Sequence, residues 1–231
     1  MSNLTVILPC AGEGTRLSLP YPKEVHSIEK NKSLIDYSFD LFSNYGRRDV
    51  EFVITLNENK TELVKYLSRY KSRFNISFTF FNPAETEYTG SIKSAKHLFG
   101  EKNLVLLPDT FMKLKSSQDI VNLVSDSLNE TGFTFFFKRE CSELMLRTKG
   151  ALSIDDDNLV QEYEDKPQEN SNRFNAFQFK VGIYRLVCSN GLVVSCGSNE
   201  FPIKKSSPVS VFSLFMALIL LSKTFLTLSF I

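Results

Sequence analysis

The sequence has no tryptophan; its aromatic bulk is 21 phenylalanines, which read as core filling. It also lacks an excess of either charge, with 27 Lys and Arg against 26 Asp and Glu and a net charge of +1. That balance gives no long-range attraction for nucleic acid or an anionic membrane. Nucleic acid is therefore excluded as a partner, and any anion site has to be local. Cysteine is scarce: Cys10, Cys141, Cys188 and Cys196 form no CxxC and no metal-ligand spacing. A chain of 231 residues, 42% hydrophobic, buries a core without covalent staples. A disulfide scaffold is thereby excluded, and reduced thiols in a cytoplasmic protein are expected. The first residues carry no basic segment ahead of an apolar run, so a secretory signal is not expected. No internal repeat is present.

One long apolar run exists, at residues 209–231, "VSVFSLFMALILLSKTFLTLSFI", where Lys223 is the single charge. Its length suffices to cross a bilayer, and Lys204 and Lys205 before it favour a cytoplasmic N-terminal side. Three readings stay open: a membrane anchor, a scrambled end such as a frameshift or truncation produces, and a buried helix and strand. Membrane association through 209–231 is therefore undecided, and so is the oligomeric state.

Over the first 138 residues, strands and helices alternate. "LTVILP" (4–9) is a short β-branched run bounded by glycines, a buried strand. Residues 33–46 predict a helix with Ser33 as N-cap and Gly46 as its stop. Further strands are expected at 50–57, 76–82, 103–109 and 132–138, with helices at 60–74, 91–99 and 117–128. The 60–74 helix is expected to be amphipathic with exposed lysines. This βα rhythm predicts an α/β fold, a Rossmann-like three-layer sandwich with a mainly parallel sheet. Beyond residue 139 the rhythm changes to β: two short strands around a turn at Asp155–Asn158, a polar loop at 170–176 and a strand at 177–186.

The first strand runs into "CAGEGTRLSLPYPKEVHSI" (10–28), where Gly12 and Gly14 let main-chain amides converge on an anion. The Walker pattern GxxxxGK[ST] is absent. The dinucleotide pattern GxGxxG fails at Leu17, and Pro20 and Pro22 forbid a helix there. What remains is a long loop with Arg16 and Lys23 spaced along it, and GxGTR followed by PK directly after a buried strand is a specific pattern.

That loop resembles the signature of the sugar-1-phosphate nucleotidyltransferases, which join a nucleoside triphosphate to a sugar phosphate and release pyrophosphate. The resemblance implies the nucleotide-diphospho-sugar transferase type of fold over residues 1–186, with 187–231 an atypical tail. It also implies that Leu8, Ala11 and Gly12 lie near the base, and that Gly14 and Thr15 present amides to phosphate. Arg16 would brace the leaving pyrophosphate and Lys23 the α-phosphate, a division that suits a forked donor and a compact ammonium. The short interval from arginine to lysine, with His26 soon after, is similar to the uridylyltransferase branch more than the thymidylyltransferase one. His26 itself reads as structural.

Asp109, in "VLLPDT" at a strand end, occupies the position where the family holds Mg2+, and Pro108 replaces the usual glycine. "TGSIKSA" (89–95) is similar to the family's helix opening beside base or sugar, which brings in Gly90; Asn82 is a weaker match for a base-reading glutamine. "EYEDKPQE" (162–169) resembles the EKP motif, making Lys166 the cation for the sugar phosphate with Asp165 in place of glutamate. Gly150 and Gly182 resemble the sugar-contacting glycine and the GIY strand. The run Asp155–Asp157 reads as a hairpin turn rather than a metal cluster.

The family's second metal carboxylate has no counterpart: no aspartate follows Asp165, and Asn190 and Asn199 are nominal substitutes only. Three function classes therefore stand. A nucleotidyltransferase using Mg2+, a triphosphate and a sugar-1-phosphate leads. A nucleotide-binding homologue with weak or lost catalysis follows. A glycosyltransferase consuming a nucleotide sugar is third, with the absent DxD against it.

Overall fold

The computed structural model describes residues 4–14, 17–82, 88–109, 119–130, 133–139, 142–148, 150–156, 160–165, 167–168 and 171–185. The apolar run at 209–231 lies outside them, as do Thr15, Arg16 and Lys166, and the side chain of Asp165. Among the described residues no helix is long and apolar enough to cross a membrane. The chain divides into two compact units, Met1–Val124 and Ser125–Ile231.

The first unit is built on four parallel strands: β1 (Leu4–Pro9), β4 (Val50–Leu56), β5 (Asn75–Phe80) and β6 (Lys102–Leu106). Their spatial order is β5-β4-β1-β6. Every residue of β1 is buried, because it is paired on both sides, Leu4–Pro9 against Val50–Thr55 and Thr5–Ile7 against Asn103–Val105. The predicted parallel α/β arrangement is therefore the observed one. Between β1 and β4 the chain makes a small hairpin, β2 (Ser27–Glu29) and β3 (Lys32–Ser33), which the sequence reading did not anticipate. Asn31, at φ 64°, turns that hairpin, a conformation that asparagine tolerates.

The helix expected at 33–46 shrinks to one short turn, α1 (Asp36–Asp40). Ser33 is not its cap: it sits in β3, and its amide donates to Asp36 Oδ2 at 2.7 Å. The same buried carboxylate accepts the hydroxyls of Tyr66 and Tyr70 at 2.6 and 2.7 Å. Asp36 thus spends its lone pairs joining α1 to α2 (Thr61–Leu67) and the turn that follows, instead of prolonging a helix. Beneath it the phenylalanines fill the core as expected. Phe39 stacks on Phe52 and on Tyr70 at centroid distances of 4.2 and 4.1 Å, and Phe42 and Phe74 meet Phe52 edge-on at 5.4 and 5.0 Å.

α3 (Tyr88–Ser94) starts earlier than expected and is tied to the sheet by Thr55 Oγ1, which donates to Ser91 O at 3.0 Å. Asp119 caps α4 (Ile120–Glu130), accepting the amides of Val121 and Asn122 at 2.9 and 3.1 Å. The Tyr45 hydroxyl also donates to Asp119.

These tyrosine contacts set an alkaline limit on stability. Burial, then the bond to Asp119, pushes Tyr45 up to about 12 from the ordinary 10.0. Tyr66 and Tyr70 are raised as well, by burial first and then by Asp36. The folded chain keeps phenol protons that the unfolded chain releases near pH 10, so the unfolded state binds fewer protons above that pH. The stabilisation is complete below the unfolded value and is lost as pH climbs toward the folded one. Thermal midpoints should therefore fall between pH 10 and about 12, and a Tyr45→Phe, Tyr70→Phe protein should fall less steeply.

The second unit is antiparallel. β7 (Phe133–Arg139), β8 (Gly150–Ile154), β9 (Val160–Asp165) and β10 (Ala176–Arg185) run in the order β7-β10-β8-β9. The expected two strands around a turn near residue 156 are β8 and β9. A short α5 (Glu143–Leu146), not anticipated, places Leu146 against Ala151 and Phe174 in a small core. Asn175 closes the unit, accepting the Ile154 amide at 2.9 Å and donating to the Ile154 carbonyl at 2.6 Å.

Candidate functional site

Three parallel strands of the first unit deliver chain to one edge at their carboxyl ends. β1 leads into the glycine loop, β4 into a turn at Asn57–Lys60, and β6 into Pro108 and Asp109. From β1 the strand order steps outward to β4 and β5, then returns to β6 on the other flank of β1. β4 and β6 thus lie on opposite flanks of β1, which makes the carboxyl end between β1 and β6 the switch point, the crevice where ligands of such sheets bind. The glycine loop and Asp109 occupy its two sides.

Across it, Lys23 Nζ donates to Asp109 Oδ2 at 2.9 Å, although 86 residues separate the two. Their side chains are 24% and 42% exposed. At that exposure an ion pair holds little energy, so a phosphate or a metal can replace either partner at small cost. Lys23 belongs to a one-turn 3₁₀ helix, Lys23–Val25, entered through Pro22, with no α-helix among the described residues of the loop before it, as the two prolines require.

The two glycines differ in what they require. Gly14 sits at φ +67° with the methylenes of Lys23 against it, Cδ and Cγ at 3.5 Å from where a Cβ would stand. Glycine there serves the fold, since a side chain would be strained in the left-handed region. A Cβ on Gly12 would meet nothing within 4 Å, and the residue is exposed, so the protein itself does not demand glycine at 12. Ala11 is half-buried, and its carbonyl accepts Asn57 Nδ2 at 2.8 Å. Leu8 is completely buried in β1, so its side chain belongs to the core.

Below the loop lies a constellation that the sequence reading did not include. Lys60, expected to be exposed on its helix, is 4% exposed, and its Nζ donates to Glu24 Oε1 and Oε2 at 2.8 and 2.9 Å. Glu24 is 0% exposed. Helical spacing treats a lysine as solvated; only its partner, 36 residues earlier in the chain, puts it inside. Asn57 was missed as well, although an Asn directly after a strand is a turn signal, here realised as Asn59 N donating to Asn57 Oδ1 at 3.1 Å. Cys10 is wholly buried at the end of β1. Burial, then the Glu24 charge, pushes its thiol well above the ordinary range, with Lys60 and Lys23 opposing. A cysteine buried in this way packs as a small apolar side chain.

Of the weaker candidates, Asn82 is exposed beyond β5 with its amide donating to Ser94 Oγ at 3.2 Å. Gly90 is buried in the first turn of α3, its carbonyl accepting Ser94 Oγ at 2.8 Å. Next to it, the Ser91 hydroxyl is buried without a hydrogen-bond partner among the described residues. His26 takes a structural place, its Nδ1 2.9 Å from the Tyr21 hydroxyl and its ring stacked on that of Tyr21.

In the second unit Gly150 and Asp165 are Cα partners across β8 and β9. A Cβ on Gly150 would come within 2.8 Å of the Tyr163 hydroxyl, so glycine there lets the ring lie over the strand. Gly182 pairs with Phe135, where the β10–β7 register shifts. Among the described residues no cluster of three or more metal-ligating side chains occurs, and Asp157 lies outside them. One accessible carboxylate at the crevice, Asp109, nevertheless fits a divalent ion that arrives with phosphate oxygens, since magnesium takes one or two carboxylates and completes its shell with substrate and water.

The sequence pattern of the nucleotidyl transferase family matches residues 4–189. No curated protein sequence matches the chain. Among solved structures the fold is similar to a UDP-glucose pyrophosphorylase complexed with UDP-glucose, at 17% identity over 80% of this chain and 76% of that one, with a TM-score of 0.65. It is similar also to a UTP-bound UGPase from Acinetobacter baumannii, at 16% identity over 80% and 75%, TM-score 0.63. A Bacillus anthracis protein described as a glucose-1-phosphate thymidylyltransferase gives 16% identity over 79% and 71%, TM-score 0.64.

Proposed function

The chain belongs to the nucleotidyl transferase family, and from that premise we propose that it condenses a nucleoside triphosphate with a sugar-1-phosphate, giving a nucleotide sugar and pyrophosphate. The observation that carries this reading is the approach of Lys23 to Asp109 at the sheet's switch point, 2.9 Å apart. UDP-glucose and UTP in the structures of similar fold make a pyrimidine triphosphate and a hexose-1-phosphate the first substrates to try. The proposed catalytic portion is residues 1–186, and the proposed setting is cytoplasmic.

In the proposed mechanism an acceptor phosphate oxygen attacks the α-phosphorus in line and pyrophosphate leaves opposite. A phosphate dianion is already a nucleophile, so no general base is called for, and catalysis reduces to positioning and charge neutralisation. Lys23 sits against the α-phosphate oxygens, Arg16 braces the departing pyrophosphate, and Lys166 receives the sugar phosphate. Gly14 and Thr15 turn amides toward phosphate. The open space at Gly12 is what close approach of a base needs, and Leu8, Ala11, Asn82 and Gly90 complete the proposed nucleotide-binding set. Gly150, Asp165 and Gly182 form the proposed sugar-contacting set. Asp109 is the proposed ligand for Mg2+, which, when bound, offsets charge on the triphosphate.

The test is pyrophosphate release by the full chain from four nucleoside triphosphates against a panel of sugar-1-phosphates. Turnover with one pair and not the rest supports the reading. Binding of triphosphate without turnover would mark a catalytically weak homologue. Sugar transfer from an intact nucleotide sugar would mark a glycosyltransferase.

A further inference from the structure

The far end of the glycine loop is fastened from below by a charged pair that belongs to none of the groups proposed to touch substrate. Lys60 Nζ grips both oxygens of Glu24, at 2.8 and 2.9 Å, and neither residue is more than 4% exposed. Lys60 is delivered by a stiff element: its amide donates to Asn57 O at 3.2 Å, and α2 begins at the next residue with Leu63 and Leu67 fully buried. Glu24 is held through its main chain too, its carbonyl accepting the Ile35 amide at 2.9 Å. Asn57, from the same turn, holds the start of the loop at Ala11 O, 2.8 Å away.

An ion pair this dry gains little stability, because desolvating both charges offsets most of their attraction. What it supplies is direction. Glu24 is bonded in sequence to Lys23 within one 3₁₀ turn, so fixing Glu24 at its carboxylate and at its main-chain carbonyl fixes the angle at which Lys23 leaves the chain. Charge balance makes the same demand. Glu24 with Lys60 and Asp109 with Lys23 form two ion pairs, whose formal charges cancel. Without the Lys60 ammonium, the Glu24 carboxylate would stand unpaired beneath an incoming triphosphate.

We infer that Lys60, acting through Glu24, is a positioning residue that aims the Lys23 ammonium into the crevice beside Asp109. The inference rests on the nucleotidyl-transfer reading given above. Lys60→Met alone would leave a buried anion and confound geometry with charge. The decisive variant is Glu24→Leu, Lys60→Met, which removes both charges at similar volume. Two companions are Lys60→Arg, which keeps a charged fork opposite both Glu24 oxygens, and Glu24→Asp, which keeps the charge and shortens the reach by one methylene.

The experiment measures kcat and KM for the triphosphate by pyrophosphate release, together with amide hydrogen exchange over residues 10–26 and over β4, on the full chain. The double variant should lose about 30-fold in kcat, with KM changed by less than about threefold, as expected for a group misplaced by about an ångström. Exchange should quicken about tenfold over 10–26 and stay unchanged in β4. Lys60→Arg should retain kcat within about threefold, and Glu24→Asp should fall about fivefold. A double variant as fast as the parent overturns the inference, and so does one whose exchange rises equally in β4. Should the double variant not fold, Glu24→Asp with parental kcat and parental loop exchange overturns it instead. A parent protein without pyrophosphate release removes the nucleotidyl-transfer reading and the inference with it; a parent that turns over beside an undiminished double variant removes the inference alone.

Discussion

Replacing Lys23 with methionine should lower kcat for pyrophosphate release by about a thousandfold, close to 4 kcal/mol of transition-state stabilisation. Methionine keeps a flexible apolar stem beside Gly14, where the lysine methylenes now lie 3.5 Å from the place a Cβ would take, and so deletes the charge with little change in packing. The size of the effect follows from pre-aiming. The ammonium is held at the crevice before substrate arrives, 2.9 Å from Asp109 and 24% exposed, so no reorganisation is required as charge builds on the α-phosphate oxygens. KM for the triphosphate should rise less than about tenfold, because most of the interaction is made in the transition state. Lys23→Arg should not restore the rate, since a broad guanidinium cannot occupy the place of a compact ammonium between Gly14 and Asp109. Steady-state pyrophosphate release with the parent's preferred substrates measures all three, and a Lys23→Met protein at parental kcat would remove the role proposed for this cation.

The second large effect is expected at Asp109. Asp109→Asn should reduce kcat about a hundredfold or more at ordinary magnesium concentration, and the magnesium midpoint should move upward by about tenfold or more. The carboxamide oxygen can still accept from Lys23, so the local geometry is kept while the formal charge is lost. Folding stability should change by less than about 1 kcal/mol, because the pair is exposed and contributes little. A titration of rate against magnesium, with a thermal melt as control, separates a metal role from a structural one. An unchanged midpoint with reduced kcat would transfer the importance of Asp109 to its contact with Lys23.

What could be read from sequence was what local pattern determines. "LTVILP" is a strand because it is short, β-branched and stopped by glycines, and its six buried residues agree. The parallel pairing of the first unit's strands followed from alternation alone, and the glycine loop and Asp109 both fall at strand carboxyl ends, where such sheets bind ligands. Long-range partners were not legible. Lys60 has the same neighbours in sequence as a solvated lysine and is buried only because Glu24 lies under the loop. Asp36 looked like one more position in an amphipathic helix, yet two tyrosine hydroxyls and the Ser33 amide draw it inward, and the helix is cut to five residues. The hairpin of β2 and β3 carried a signal in Asn31, whose left-handed conformation suits a tight turn, but its strands are too short for periodicity to register.

The distance in sequence between Lys23 and Asp109, 86 residues, bears on when the protein first becomes able to hold a ligand. β1 can pair with β4, and β4 with β5, while β6 is still unplaced, but the cleft exists only once β6 has docked on the other flank of β1. Closing so long a loop is among the slower events of folding. A nucleotide that bridges the two flanks therefore finds no site on the earlier intermediates and does little to hasten their assembly. Its influence falls on the return journey: bound across β1 and β6, it would keep the last-docked strand from leaving, and so lengthen the lifetime of the native chain without shortening its birth.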